Sequence, residues 1–146
     1  MGQRMPAWVT QSCADYAQRL PRDFAIELTE LKPAARDKPV AQILALEAER
    51  IVAVCGRSAI IALDERGAAW TSAQFAQQLG RWRDDAADIA FVIGSADGLD
   101  ASIKRRAVAT LQLSAMTLPH ALARVVLFEQ VYRAWSMLNA HPYHRA

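Results

Sequence analysis

Cysteine is scarce in this chain, and what is missing around its two cysteines excludes several classes of protein. Neither Cys13 nor Cys55 has a partner at the spacing of a zinc site or a dithiol redox motif. A disulfide-stapled fold and a CxxC oxidoreductase are therefore excluded. We expect both thiols to be reduced and to lie in or near the core.

Long apolar runs are also lacking. No stretch reaches the roughly 18 apolar residues of a membrane span, and no signal-peptide pattern opens the chain. We therefore expect a cytoplasmic protein that does not enter a membrane. The length of 146 residues and the hydrophobic content of 53% suffice for one globular domain, predicted over residues 1–146.

The chain has almost no net excess of one charge sign, but its charges are unevenly distributed. The net charge is +2, yet residues 97–146 carry six Lys and Arg against three Asp and Glu, together with all three histidines. A positive field in the last third favours an anionic partner. An asymmetry of this size also arises by chance in small proteins, so both readings stay open at this point.

Short apolar runs alternate with segments of helical periodicity, which predicts an α/β fold with a largely parallel sheet. Strands are predicted over 24–31, 59–65 and 89–93, and a short fourth one begins at Leu111. Helices are predicted over 6–20, 39–55, 71–85, 100–109 and 120–139. Thr71 and Gln74 form a capping-box pattern, and Gly56 marks a helix end. No predicted strand precedes the first helix, although parallel strands normally feed their helices.

Three loops follow predicted strands and are candidates for a binding site. They are "LDERG" at 63–67, "GSADG" at 94–98 and "LSAMTLPH" at 113–120. Ligands of open α/β sheets bind beyond the carboxyl ends of strands, and Gly94 and Gly98 allow a close approach of the backbone. Pro119 is predicted in the first turn of the last helix. Each loop taken alone is also compatible with a simple turn.

The last helix and the tail behind it concentrate apolar, basic and titratable side chains. The helix has an apolar surface wider than one packing stripe, which suits either a core position or a subunit interface. Arg124 and Arg133 interrupt that surface, either as anion contacts or as solvated charges. A metal site built from His120, His141 and His144 is not expected, because regular ligand spacing and nearby carboxylates are lacking.

Three segments together resemble the RlmH-type SPOUT methyltransferases: "RMPAW" at 4–8, "FVIGSADGLD" at 91–100 and the closing stretch from 113 to 146, which contains "YRAW" and "HPYHR". The resemblance covers essentially the whole chain. It implies a SPOUT fold with a C-terminal trefoil knot, a homodimer, and methylation of N3 of a pseudouridine in helix 69 of large-subunit (23S) ribosomal RNA within the ribosome.

The resemblance also implies a cofactor and site residues. S-adenosylmethionine would contact the strand-end loops, at Leu63, Gly94, Ser95, Ser114, Ala115, Met116, Thr117, Leu118 and Pro119. The tail would lie near the methyl donor, where Tyr143, His144 and Arg145 have the chemistry to remove the N3 proton or to stabilise the imide anion. RNA phosphate or the target nucleotide would be held by His120, Arg124, Arg133 and His141.

The chain departs from the family pattern at two places. Ser95 stands where the family usually has a second glycine, and its side chain could crowd the cofactor. Relatives begin with a short apolar strand ending at the position of Gly2, so an interior strand of the sheet is expected to be missing. This implies either a start codon assigned too late or an impaired protein. The alternative function is therefore a catalytically impaired SPOUT-fold protein that binds RNA or the ribosome.

Overall fold

The computed structural model describes residues 5–145. Five helices and three strands lie in this part of the chain: α1 (Ala7–Gln18), α2 (Val40–Cys55), β1 (Ala59–Ala69), α3 (Ser72–Asp84), β2 (Ile89–Ile93), α4 (Ala101–Arg106), β3 (Ala109–Gln112) and α5 (His120–Leu138). Two short 3-10 turns cover Arg22–Phe24 and Pro142–Arg145. No helix of the described residues is long and apolar enough to cross a membrane.

The chain divides into two compact units. The first contains Thr29–Ala69 and Ala87–Met116, and so it holds the whole sheet. The second contains the described residues up to Leu28, then Trp70–Ala86, then those from Thr117 onward. The prediction of a single domain over residues 1–146 stays a prediction.

The first unit is built on a parallel sheet with the order β2-β1-β3, which confirms the predicted α/β class. One face of the sheet carries Ile60 and Ala62 of β1, which pack with Ile51 of α2 and Ile103 of α4. Ile103 is completely buried, and Cys55 lies at the margin of this cluster. The apolar side chains of α2 and α4 therefore cover one face of the sheet.

The strand β1 is longer than predicted, and the segment 63–67 is not a loop beyond its end. The pairing of β1 with β3 shifts between Leu63 and Ala68, because both residues pair with Leu111. The intervening residues form an irregularity inside β1. It is held by the side chain of Asp64, which accepts the N–H of Arg66 at 2.8 Å and pairs with Lys104 Nζ at 2.6 Å. These contacts lower the pKa of Asp64.

The second unit is a three-helix arrangement in which α5 packs against both α1 and α3. Val9 and Cys13 of α1 pack on Phe128 of α5, and burial raises the pKa of the Cys13 thiol. The predicted capping box is confirmed: Thr71 Oγ1 accepts the N–H of Gln74, and Gln74 Oε1 accepts the N–H of Thr71. Cys13 is thus a core thiol, as expected.

Two predicted elements are wrong in whole or in part. The segment 24–31 is not a strand, since no strand of the described residues pairs with it, and Leu28 and Leu31 are 46% and 38% exposed. The alternation of apolar and polar residues is typical of a strand, but it does not show whether another strand lies beside the segment to form hydrogen bonds. The helix predicted over 100–109 ends at Arg106, and β3 begins at Ala109. The strand expected to be missing falls at the start of the chain, where residues 1–4 lie outside the described residues.

Candidate active site

The strands β2 and β3 end on either side of β1, at the level of Leu63. Leu63 of β1 pairs with Ile93 of β2 on one side and with Leu111 of β3 on the other. Gly94 and Ser95 follow β2 directly. Ser114 lies two residues after Gln112, the last residue of β3. The structure thus brings the predicted residues of the first unit to the same edge.

The loop after β2 is a tight turn that tolerates no side chain at Gly94. The N–H of Gly98 donates to the carbonyl of Ser95 at 2.9 Å, and Gly98 has φ +88°. A Cβ at Gly94 would lie 2.5 Å from the Gly98 carbonyl oxygen. Glycine is therefore required at 94 by the packing of the loop on itself, and at 98 by the left-handed backbone.

An ion pair fixes the outer side of this loop. Asp97, in the turn, pairs with Arg36 from the segment that precedes α2. Both side chains retain solvent access, so the pair adds little free energy. It nevertheless ties the turn after β2 to a second segment of the same unit.

Ser95 has a buried hydroxyl that lacks a partner. Within residues 5–145, its Oγ is the buried side-chain atom that makes no hydrogen bond. A buried polar group without a partner costs free energy comparable to a lost hydrogen bond. A polar ligand bound where β2 and β3 end could form the hydrogen bond that this hydroxyl lacks.

The segment after β3 is open and turns locally. Ser114 Oγ accepts the N–H of Met116 at 3.0 Å, and the Met116 side chain is 80% exposed. Ala115 is also exposed. In the second unit, Thr117 and Leu118 lead to Pro119, which is the N-cap of α5 rather than a residue of its first turn.

The tail is attached to α5 by a left-handed turn. Asn139 caps the helix, Ala140 has φ +53°, and the N–H of His141 donates to the carbonyl of Ser136 at 2.8 Å. This is the Schellman arrangement, here with alanine at the position that usually holds glycine. The turn directs residues 141–145 back along the helix that precedes them.

An aromatic cluster holds the tail against α5 and α1. The ring of Tyr143 meets the buried ring of Tyr132 edge-on, with the centroids 4.6 Å apart. Tyr132 also packs on Tyr16 of α1 and stacks on Trp135, which in turn contacts His141. Such contacts stabilise by roughly 0.5–1.5 kcal/mol per pair beyond the area they bury.

Glu129 links the tail to the basic side chain one turn further along α5. Its Oε1 accepts from Arg133 Nε at 2.8 Å, from Arg133 Nη2 at 2.7 Å and from the Tyr143 hydroxyl at 3.2 Å. Burial, the Tyr16 hydroxyl and the Glu129 carboxylate together raise the pKa of Tyr143. The Tyr143 hydroxyl therefore stays protonated and acts as a hydrogen-bond donor.

The imidazole of His144 is held from one side. Its Nδ1 lies 3.1 Å from the hydroxyl of Ser136, a residue of α5 with no exposed surface. The other tail histidine is held differently, because His141 Nδ1 accepts the N–H of Tyr143 at 3.2 Å. Arg145, the last described residue, is exposed.

Sequence reasoning missed three residues of the tail region: Arg19, Glu129 and Ser136. The exposed guanidinium of Arg19 lies over the rings of Tyr16 and Tyr132, at 5.4 and 5.5 Å from their centroids. The spacing of Glu129 and Arg133, four residues apart on a helix, could have revealed their pairing. A single serine in a helix gives no such signal. Arg124 and His120 lie on α5, where both are half-buried.

Comparisons with known proteins cover nearly the entire chain. The family described as "Predicted SPOUT methyltransferase" matches residues 1–144. A protein of Burkholderia multivorans named ribosomal RNA large subunit methyltransferase H is 48% identical over 149 residues, covering 100% of this chain and 96% of the relative. A protein of Cupriavidus metallidurans with the same name is 47% identical over 152 residues, with the same two coverages.

Proposed function

Because this chain belongs to the SPOUT methyltransferase family, we propose that it methylates N3 of a pseudouridine in helix 69 of 23S ribosomal RNA, with S-adenosylmethionine as the methyl donor. The name of the full-length relatives, which are methyltransferases of the large ribosomal subunit RNA, supports this class of substrate. The observation that carries the chemistry is the tail, which presents a held histidine beside an exposed arginine.

The strand edge of the first unit fits a cofactor. The backbone of Leu63 and Gly94, and the segment Ser114 to Met116, would hold S-adenosylmethionine there, and Thr117, Leu118 and Pro119 continue that segment. The unpartnered hydroxyl of Ser95 supports a polar ligand at this edge. When bound, the cofactor supplies an electrophilic methyl group on a sulfonium.

Ser95 gives a direct test of this fit. If its hydroxyl bonds to the cofactor, Ser95→Ala should weaken S-adenosylmethionine binding by about threefold to tenfold, the effect of one hydrogen bond. Titration calorimetry on the two proteins measures it, with Ser72→Ala as the matched loss of a serine hydroxyl elsewhere. A Ser95→Gly variant that binds more tightly than the natural protein would instead mean that the side chain crowds the ligand.

His144 is the base in this proposal. Tyr143 keeps its proton, because its pKa is raised and its hydroxyl donates to Glu129. An arginine stays protonated throughout the range of enzyme activity, so Arg145 stabilises the negative charge that forms on the imide. The remaining group, the imidazole of His144, has the lone pair that a general base needs.

The proposed step moves one proton and two electron pairs. The proton on N3 would pass to the imidazole of His144, and the electron pair left on N3 would attack the methyl group that bound S-adenosylmethionine supplies, with the neutral thioether as the leaving group. The cation on Arg145 opposes the charge that builds on the ring before methyl transfer.

The RNA contacts assigned by resemblance divide into two groups. His120 and Arg124 on α5 and His141 in the tail are proposed to contact the nucleic acid, and Arg19 is added because its guanidinium is exposed. Arg133 is bound by Glu129 through two nitrogens and lies over the Tyr143 ring. We assign Arg133 to holding the tail in place.

A homodimer in the cytoplasm is part of the proposal. Trp8 of α1 and Leu122 of α5 are 49% and 40% exposed, and both suit a subunit interface. Sedimentation of the purified protein reports its mass in solution directly.

A methyl-transfer assay tests the proposed function. Ribosomes from cells that lack the modification should accept a labelled methyl group at one pseudouridine of helix 69, located by mass analysis of RNA fragments. Ribosomes that already carry the methyl group are the control and should accept none. Labelling at another nucleotide, or none at all in the presence of bound cofactor, would refute the assignment.

The second candidate is a SPOUT-fold protein that binds RNA without catalysing transfer. Ser95 favours it, since this residue replaces the glycine usual in the family loop. The two candidates differ in one simple measurement, because only the enzyme requires S-adenosylmethionine to bind. Calorimetric titration of the purified protein with the cofactor therefore separates them.

A further inference from the structure

We propose that Ser136 is a positioning residue that fixes the tautomer of His144, so that Nε2 is the nitrogen that takes the proton from the substrate. This inference rests on the proposed function for its catalytic meaning. Its structural part, the identity of the protonated ring nitrogen, stands on the hydrogen bonds of the second unit alone.

The hydroxyl of Ser136 has one proton, and the main-chain carbonyl beside it can only accept a hydrogen bond. Ser136 Oγ donates to the main-chain carbonyl of Arg133 at 2.9 Å. A hydroxyl has a single donor and can accept with its lone pairs. Toward His144 Nδ1, at 3.1 Å, Ser136 Oγ can therefore act as the acceptor.

In this arrangement the imidazole carries its proton on Nδ1. In a neutral histidine one ring nitrogen is a donor and the other an acceptor. With Nδ1–H donating to Ser136, the lone pair of neutral His144 is on Nε2. When Nε2 accepts a proton, the bond from Nδ1–H to Ser136 is kept and no group has to reorient.

The neighbouring histidine has the opposite arrangement. His141 Nδ1 accepts the N–H of Tyr143, so its neutral ring carries the proton on Nε2. That nitrogen has no lone pair to offer, and a neutral His141 cannot serve as the base through it. The tail thus holds one histidine as an acceptor at Nε2 and the other as a donor.

Ser136 also sets the position of the tail backbone. Its carbonyl accepts the N–H of His141 at 2.8 Å, so one residue of α5 holds the tail at two points. Since Ser136 is fully buried, its rotamer is limited by packing. A group held in this way loses little freedom when the substrate arrives.

The tautomers can be read in solution without any substrate. In a nitrogen-15 correlation spectrum of histidine-labelled protein, at a pH where the rings are neutral, His144 should carry its proton on Nδ1 and His141 on Nε2. The variants His144→Gln and His141→Gln assign the signals. Finding the natural protein's His144 protonated on Nε2 would overturn the inference, whatever the activity of the protein.

The substitution Ser136→Ala tests the catalytic part. The His144 signals should move toward a mixture of both tautomers, and kcat for methyl transfer should fall roughly tenfold, the effect of one hydrogen bond, with KM for S-adenosylmethionine unchanged. Ser136→Thr keeps the hydroxyl and should retain the Nδ1–H form. Ser72→Ala, which removes another serine bond to α5, is the matched control.

The outcomes separate this inference from the proposed function. If Ser136→Ala keeps both the Nδ1–H tautomer and the full kcat, the inference is wrong while the methyltransferase assignment stands. If the natural protein shows the expected tautomers but transfers no methyl group, the proposed function fails while the geometric statement about Ser136 holds.

Discussion

Deleting residues 141–146 should reduce methyl transfer to ribosomes by orders of magnitude. The deletion removes His144 and Arg145 together, and a positioned acid–base group alone contributes roughly 10²- to 10⁴-fold to rate. Binding of S-adenosylmethionine should change much less, because the loops assigned to it precede α5. Single-turnover rates at saturating cofactor, compared with calorimetric affinity, measure the two effects separately.

The same deletion also removes packing, and this must be controlled. The Tyr143 ring lies against the buried Tyr132, and Glu129 would lose one of its donors. The double variant His144→Ala with Arg145→Ala keeps Tyr143 and its contacts, and it should lose activity almost as completely. If the enzyme without residues 141–146 methylates ribosomes at the full rate, the tail has no role in the reaction.

The second large effect is expected at Gly94. The Cβ atom of any side chain at this position would clash with the carbonyl group of Gly98. Gly94→Ala should therefore already distort the loop, and Gly94→Val should abolish measurable cofactor binding. The structure assigns the conflict to the loop's own backbone, and calorimetry on the folded variants measures the consequence.

A matched variant separates loop geometry from general instability. Gly56, at the end of α2, also has a positive φ and has no atom within 4 Å of its would-be Cβ. Gly56→Ala should lower the free energy of unfolding by roughly 1–3 kcal/mol through backbone strain while leaving cofactor affinity intact. Equal affinities in Gly94→Ala and the natural protein would show that the loop tolerates a side chain and that this reading of the site is wrong.

Sequence patterns predicted the parallel sheet and the helices because those elements depend on local periodicity. Residues 89–93 were predicted as a strand with the bounds that the structure has, and the capping box at Thr71 was identified from two residues. The strand predicted over 24–31 was wrong because a strand needs a partner strand, and the alternation of one segment carries no information on a partner. The irregularity in β1 was not predicted for a similar reason, since it is defined by the pairing of β1 with Leu111 of another strand.

The segments that form the candidate site were predictable from the sequence, but the hydrogen bonds between their side chains were not. Strand-end loops and a tail rich in histidine, tyrosine and arginine are visible in the sequence. That Glu129 holds Arg133 and Tyr143, or that Ser136 lies within hydrogen-bond distance of His144, depends on how the chain turns back at Ala140. The sequence at that turn lacks the glycine that usually marks it.

The pre-steady-state rate of methyl transfer by His144→Ala tests the central claim most directly. With saturating cofactor and ribosomes that lack the modification, the variant should react roughly 10²- to 10⁴-fold more slowly than the natural protein. Arg145→Ala should also be slow, because it loses the cation that stabilises the imide anion. A His144→Ala enzyme with the natural rate would contradict the account, because the imidazole could then not be the base.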